Sequence, residues 1–201
     1  MHSIYEILLL VLLPLLMIAT ITALQLNKWK FSGCVYWVLL IYLLANLCVE
    51  TIAGIRNVIF GLGTDVLYNA SVIYEPTAFI LIFLAWEKSE QWRKRIGWTL
   101  VCFLGFAAAN LLFMQGAGKL NSYTYMLACV VLMILCYRQL STFVVGNLVS
   151  EPFRQFVFWF SVGVLFCYLG NLPFLAFYGI LSKGDQVREI FTVISIAVNA
   201  L

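Results

Sequence analysis

The sequence predicts an all-α fold: a polytopic transmembrane helical bundle of six to seven spans with its N-terminus outside. Three observations predict it. Apolar stretches of about 20 residues, the length that crosses the hydrocarbon of a bilayer, recur with only short polar breaks. Hydrophobic residues make up 64% of the chain and charged residues 10%, against roughly 45–50% and 25% in soluble domains. Lysines and arginines gather at alternate loops, as the positive-inside bias requires. A 201-residue soluble fold cannot hide that much apolar surface, so lipid is the solvent for most of the chain. A β-barrel, the other way to satisfy a backbone in lipid, needs strict alternation over segments of about 10 residues. The runs at 7–17 and 130–136 are continuous instead.

The spans fall at 4–24, 34–55, 66–86, 96–114, 123–137, 153–181 and 190–201, forming one transmembrane helical domain over 1–201. The first has no Lys or Arg before it, and its apolar core exceeds the roughly 7–15 residues of a signal peptide. It reads as a retained helix, kinked at Pro14. The second carries Asn46 and Glu50 at i and i+4, with Arg56 at its mouth. The third carries Tyr68, Asn69, Tyr74 and Glu75, directly before Pro76. In the fourth and sixth, Gly105 and Gly163 suit close helix contact. Ser150, before Glu151 and Pro152, suits the N-cap of the sixth, which also holds Gly170, Asn171 and Pro173. The last stretch has 12 residues, too few to cross about 30 Å. A chain that continues, or a half-span packed on the bundle, accounts for it; the first is favoured.

Loops after spans one, three and five hold Lys28, Lys30, Lys88, Arg93, Lys94, Arg95, Arg138 and Arg154. The other loops hold Arg56, Lys119, Lys183 and Arg188. Eight against four puts the first set in the cytoplasm. Trp29, Trp86, Trp92 and Trp98 surround the same surface, as interfacial anchors do. The basic loop reads as an anchor at anionic lipid heads. A net charge of +3 gives no reason to expect nucleic acid.

Ionisable groups inside a membrane usually face the bundle interior and often serve a function. Glu75 lies about nine residues inside the outer end of its span, roughly 14 Å deep. Pro76 cannot donate to the carbonyl of Val72, so a freed acceptor is expected beside the Glu75 carboxyl. Asn46, Glu50, Asn110, Asn121, Tyr123, Tyr125 and Asn171 fall in the outer half by the same arithmetic. The inner halves are more uniformly apolar. The candidate ligand- or proton-binding residues are therefore Glu75, Glu50, Tyr68, Asn69, Asn46, Asn171 and Arg56, around an outward polar cavity with Glu75 at its floor. The bland alternative for each is interhelical glue, at about 0.6 kcal/mol per bond in membrane proteins.

Other chemistry is thinly supplied. The one histidine is His2, which leaves little for histidine-ligated metal or histidine general-base catalysis. No metal site, cofactor or catalytic residue is expected, and an enzyme is the less favoured class. The six cysteines form no C-x-x-C pair and sit in apolar runs, so packing as small hydrophobes is their expected role. No lysine lies within a span, which disfavours a retinal protein.

Leu67-Tyr68-Asn69 followed by Tyr74-Glu75, Asn121-Ser122-Tyr123 opening the fifth span, and Gly170-Asn171 in the sixth carry a resemblance. By these the chain resembles a group of uncharacterised seven-helix integral membrane proteins of Bacteroidota. The resemblance covers most of the chain and implies a seven-helix fold and a bacterial inner-membrane location. It implies no activity. The chain departs from that pattern where Pro76 follows the glutamate; the group's proline falls earlier in the turn.

The leading functional expectation is a sensory or receptor-like bundle that reads a small ligand or proton outside and passes the change to a cytoplasmic protein partner. The alternatives are an ion, proton or small-solute transporter or channel, for which the apolar inner half offers few polar groups, and an accessory or regulatory membrane subunit, for example of a defence or envelope operon.

Overall fold

A computed structural model describes residues 4–27, 33–60, 64–116, 121–146 and 152–181. Six α-helices follow one another: α1 (Ile4–Leu26), α2 (Gly33–Phe60), α3 (Asp65–Trp86), α4 (Glu90–Ala109), α5 (Ser122–Gly146) and α6 (Pro152–Leu181). A π-helical turn, Asn110–Met114, extends α4. No strand occurs among the described residues. Four helical stretches are long and apolar enough to cross a membrane: Gly33–Arg56, Val66–Trp86, Glu90–Met114 and Ser122–Phe143. The stretch at 190–201 and the proposed Ser150 cap lie outside the described residues.

Helix ends follow hydrogen bonding rather than hydropathy. The fourth helix starts at Glu90, six residues before its apolar run begins at Ile96, so the basic segment is itself helical. The fifth continues to Gly146, beyond the apolar limit at Tyr137. There the Arg138 carbonyl accepts from Ser141 Oγ (2.8 Å) and Thr142 Oγ1 (2.9 Å), and Arg138 Nη1 donates to Thr142 Oγ1 (2.8 Å). Hydroxyls bonded to a carbonyl in the preceding turn carry polar residues without breaking the helix. Thr20 and Thr22 do the same within α1, bonding the carbonyls of Leu16 and Ile18.

The chain divides into two compact units, Met1–Thr124 and Tyr125–Leu201. In the first, α1 packs on α2, α2 on α3 and α3 on α4. At one end Tyr36 Oη donates to Gln25 Oε1 at 2.7 Å, tying the close of α1 to the start of α2. The third helix is the centre of this unit: 44% of its apolar span is buried, against 17% for α2 and 22% for α4. Its core residues include Val72, Phe79, Ile80, Ile82 and Phe83, and α4 meets the core with Ile96, Phe103 and Ala107. The outward faces are as apolar as the inward ones: Trp37, Ile41 and Leu44 on α2, and Trp98, Val101 and Leu112 beyond them, are exposed. Such a surface suits acyl chains, not water.

In the second unit, buried Val157, Ser161, Val164 and Tyr168 recur at helical spacing on α6. The Tyr125 ring stacks on Tyr168 at 5.6 Å, and Phe143 meets Phe158 edge-on at 5.9 Å. The start of α5 therefore lies beside the later part of α6, and its end beside the earlier part: an antiparallel pair.

Two expectations about small residues change. Gly105 and Gly163 are exposed, and a Cβ added at either meets nothing within 4 Å, so within its own unit and among the described residues neither mediates close helix contact. Cys129 and Cys136 are buried, but Cys34, Cys48 and Cys102 are exposed. An apolar residue in a continuous apolar run carries no signal of which face it occupies.

Candidate functional site

Polar groups in the first unit form two separate clusters. The first lies along the α2–α3 seam. Tyr42, Asn46 and Glu50 stand at i, i+4 and i+8, a single helical face. The Tyr74 hydroxyl reaches across from α3 and donates to Asn46 Oδ1 at 2.9 Å. Ser71 Oγ makes a longer contact to the same hydroxyl, 3.4 Å. The Tyr42 ring sits 6.4 Å from that of Tyr74 and 5.1 Å, edge-on, from that of Phe79. Glu50 lies within electrostatic reach of both Tyr68 and Tyr74, and Glu75 within reach of Tyr74. All of Asn46, Glu50, Tyr68, Tyr74 and Glu75 are half-buried.

Of the sequence candidates, Asn46 meets Tyr74 across this seam and Glu50 lies near Tyr68 and Tyr74, while Glu75 follows Tyr74 on α3 about 100° further round the helix. The hub of the seam is Tyr74, which the sequence offers only as an extra hydrogen-bonding group. Pro76 is fully buried, and α3 runs through it without interruption. Thr77 Oγ1 donates to the carbonyl of Ile73 at 2.6 Å, an i to i−4 side-chain bond next along the helix from the Val72 carbonyl, to which Pro76 cannot donate.

The second cluster joins the start of α3, the π turn and the start of α5. Asn69 is 4% exposed, and its Oδ1 accepts from the backbone N–H of Asn121 at 2.7 Å. Asn110 Nδ2 donates to Asn121 Oδ1, to Gln115 Oε1 (2.9 Å) and to Thr124 Oγ1 (3.1 Å). Thr124 Oγ1 in turn donates to Asn121 Oδ1 at 2.8 Å. Gln115 closes the circle: its Oε1 accepts from the Tyr123 N–H (3.2 Å) and its Nε2 donates to Ser122 Oγ (2.9 Å). It thereby satisfies one of the orphan donors at the N-terminus of α5. Asn110, Asn121 and Thr124 are wholly buried.

The π turn makes this possible. Its extra residue per turn directs Asn110 inward while Gln115 N–H still bonds the Asn110 carbonyl at 2.9 Å. Gly116 follows at φ +74°, a conformation that glycine adopts without strain.

Asn69 thus leaves the seam. Consecutive helical residues point about 100° apart, so Tyr68 and Asn69 serve different neighbours. Arg56 is half-buried, but six residues from Glu50 turns it about a third of a circle off that face. Asn171 falls on α6 in the second unit, its side chain outside the described residues. Sequence reasoning missed Gln115 and Thr124. The available signal was an Asn-x-x-Thr start to a helix, with a glutamine and glycine just before the loop. Among the described residues, no three His, Cys, Asp or Glu side chains converge as a metal would need.

Chemically, the seam offers three phenols, the Glu50 carboxyl and the Asn46 amide at partial burial, with the Glu75 carboxyl on the same helix as Tyr74. The buried cluster links its members by hydrogen bonds and acts as a clasp, but Asn110 Oδ1 and Asn121 Nδ2 are buried in it without a hydrogen-bond partner. Comparison with known protein families, curated proteins and solved structures gives no match.

Proposed function

We propose that this chain is a multi-pass protein of the bacterial inner membrane, with six or seven spans and its N-terminus outside, and that it works as a sensor. The α2–α3 seam is its reading site. One observation carries this: Tyr74 bridges to Asn46 within reach of both Glu50 and Glu75. A proton or small ligand that changes the charge or pairing of either carboxyl alters the bond holding α2 to α3. The signal passes on only because the ligand binds two conformations unequally. Pivoting of α3 from its Asn69 end carries it to a cytoplasmic partner.

The test uses the full chain in lipid nanodiscs, with tryptophan fluorescence followed over pH and over a panel of small solutes. The sensor reading expects a saturable change that Glu75→Gln or Glu50→Gln abolishes while both variants stay folded. Identical responses in wild type and both variants refute it.

An accessory or regulatory subunit is the second reading, and the clasp favours it. A network whose bonds are spent on joining α3, α4 and α5 suits a scaffold. Crosslinking that captures a stoichiometric partner, with Glu50 and Glu75 both replaceable at no loss, selects that reading.

A further inference from the structure

The clasp contains two polar atoms that its own bonds leave over. Asn110 Oδ1 and Asn121 Nδ2 have no hydrogen-bond partner, and both residues are 0% exposed. The other members have nothing to give them. Asn121 Oδ1 spends its two lone pairs on Asn110 Nδ2 and Thr124 Oγ1. Gln115 Oε1 spends its two on Asn110 Nδ2 and the Tyr123 N–H. The two protons of Asn110 Nδ2 are spread over three acceptors, on Asn121, Gln115 and Thr124. The Thr124 hydroxyl proton goes to Asn121. Turning both asparagine amides over exchanges the roles of the two orphans and removes neither. It also sets the Asn110 oxygen against the Gln115 oxygen. One acceptor and one donor are left over in either arrangement, on two amides that touch at their other ends. One amide belongs to the π turn that closes α4, the other to the residue before α5.

We infer that the clasp binds one water molecule, which donates to Asn110 Oδ1 and accepts from Asn121 Nδ2. The pairing of one acceptor with one donor selects the ligand. A cation satisfies Asn110 Oδ1 but meets the protons of Asn121 Nδ2, and an anion reverses the conflict. Neither finds a countercharge among the clasp side chains, which are all neutral, and an unpaired ion is far costlier to bury than a neutral polar group. A hydroxyl group both donates and accepts. Water is the hydroxyl compound small enough for a site whose walls, Asn110, Asn121 and Thr124, are 0% exposed. Buried waters serve such leftover groups in folded proteins generally. The bound water also adds a second bridge between the end of α4 and the start of α5, nearly as strong as a direct bond. The site shares no side chain with the α2–α3 seam.

Nuclear magnetic resonance of the full chain with isotope-labelled asparagine tests it, in nanodiscs of deuterated phosphatidylcholine, a lipid without hydroxyl groups. The wild type is expected to show a dipolar cross-peak between the Asn121 side-chain amide protons and water, with the sign given by a water held for longer than the particle tumbles. Asn110→Leu removes the acceptor at similar side-chain volume and is expected to lose that cross-peak. Where this variant fails to fold, a wild-type density map at atomic detail decides, with a water oxygen expected within about 3.2 Å of both orphan atoms. A wild type without the cross-peak overturns the inference. So does a cross-peak that persists unchanged in a folded Asn110→Leu protein, a signal that arises only in phosphatidylglycerol nanodiscs and so belongs to a lipid hydroxyl, or a map with a protein group in the water's place. Glu75→Gln is expected to leave the cross-peak as in the wild type, so failure of the sensor reading and failure of this site are separable.

Discussion

Replacing Gln115 by leucine removes the residue that closes the clasp. Three bonds go: Asn110 Nδ2 to Gln115 Oε1, Tyr123 N–H to the same oxygen, and Gln115 Nε2 to Ser122 Oγ. At about 0.6 kcal/mol for a side-chain bond in a membrane protein, the sum is about 2 kcal/mol. The scale for losing a helix cap, roughly 0.5–2 kcal/mol, meets that figure at its upper end. The losses are unequal in kind. Asn110 Nδ2 keeps Asn121 and Thr124 as acceptors, whereas the Tyr123 N–H sits at a helix start where intrahelical acceptors are lacking. The local effect should therefore centre on Tyr123. Reversible unfolding in bicelles gives the global number, and amide exchange at Tyr123 gives the local one. Gln115→Glu is the control, since it keeps an acceptor for Asn110 and Tyr123 and should lose less than half as much. A Gln115→Leu protein within about 0.3 kcal/mol of wild type, with Tyr123 exchange unchanged, would show that the clasp does not cap α5.

Further outcomes follow from the same geometry. Tyr74→Phe should lower stability by about 0.6 kcal/mol, and in an Asn46→Leu background by almost nothing, since the two share one bond; a double-mutant cycle measures the coupling. Thr77→Val removes the donor to the Ile73 carbonyl and should destabilise by roughly 0.5–1.5 kcal/mol, as unfolding curves of variant and wild type would show. Gly116→Ala should destabilise by about 1–2 kcal/mol because φ is +74°, with Gly116→Asn milder; thermal scans of the two variants rank them.

The sequence carried the helices well because one property, length of apolar run, sets both where a chain enters lipid and how many residues cross it. The described spans are all helical where apolar runs predict them. The ends moved at Glu90 and Gly146, where polar residues remain helical through local bonds that hydropathy does not register. Facing was the weaker inference. In a soluble helix, polarity marks the outside. Here Trp98 and Phe103 lie on opposite faces of α4 with nearly the same hydropathic character, so periodicity could not separate core from lipid contact. The spacing of Asn46 and Glu50 did survive as a shared face. A seven-residue spacing relates Tyr68 to the face of Glu75, and Asn69 adds hydrogen-bonding capacity beside it, yet the helix sends Tyr68 and Asn69 to different partners.

The two polar clusters differ in what a change of charge can do. In the clasp every side chain is neutral, three of its members are wholly buried, and a single glutamine closes the ring. No member titrates near neutral pH, so its strength is fixed by geometry. The seam is half-buried, with a phenol–amide bond from Tyr74 to Asn46 and Glu50 nearby, so on the proposed sensor reading its strength follows protonation. Helix α3 belongs to both: Asn69 anchors its start to Asn121, just before α5, while Tyr74 joins its middle to α2. A helix pinned at one end by a charge-insensitive contact and held at its middle by a charge-sensitive one pivots rather than slides when the second changes. On that mechanism the double variant Gln115→Leu with Glu75→Gln should lose directional coupling altogether. Spin labels at Phe60 and Ala85 would then report broadened distances in place of two discrete ones, and two sharp distances would refute the pivot.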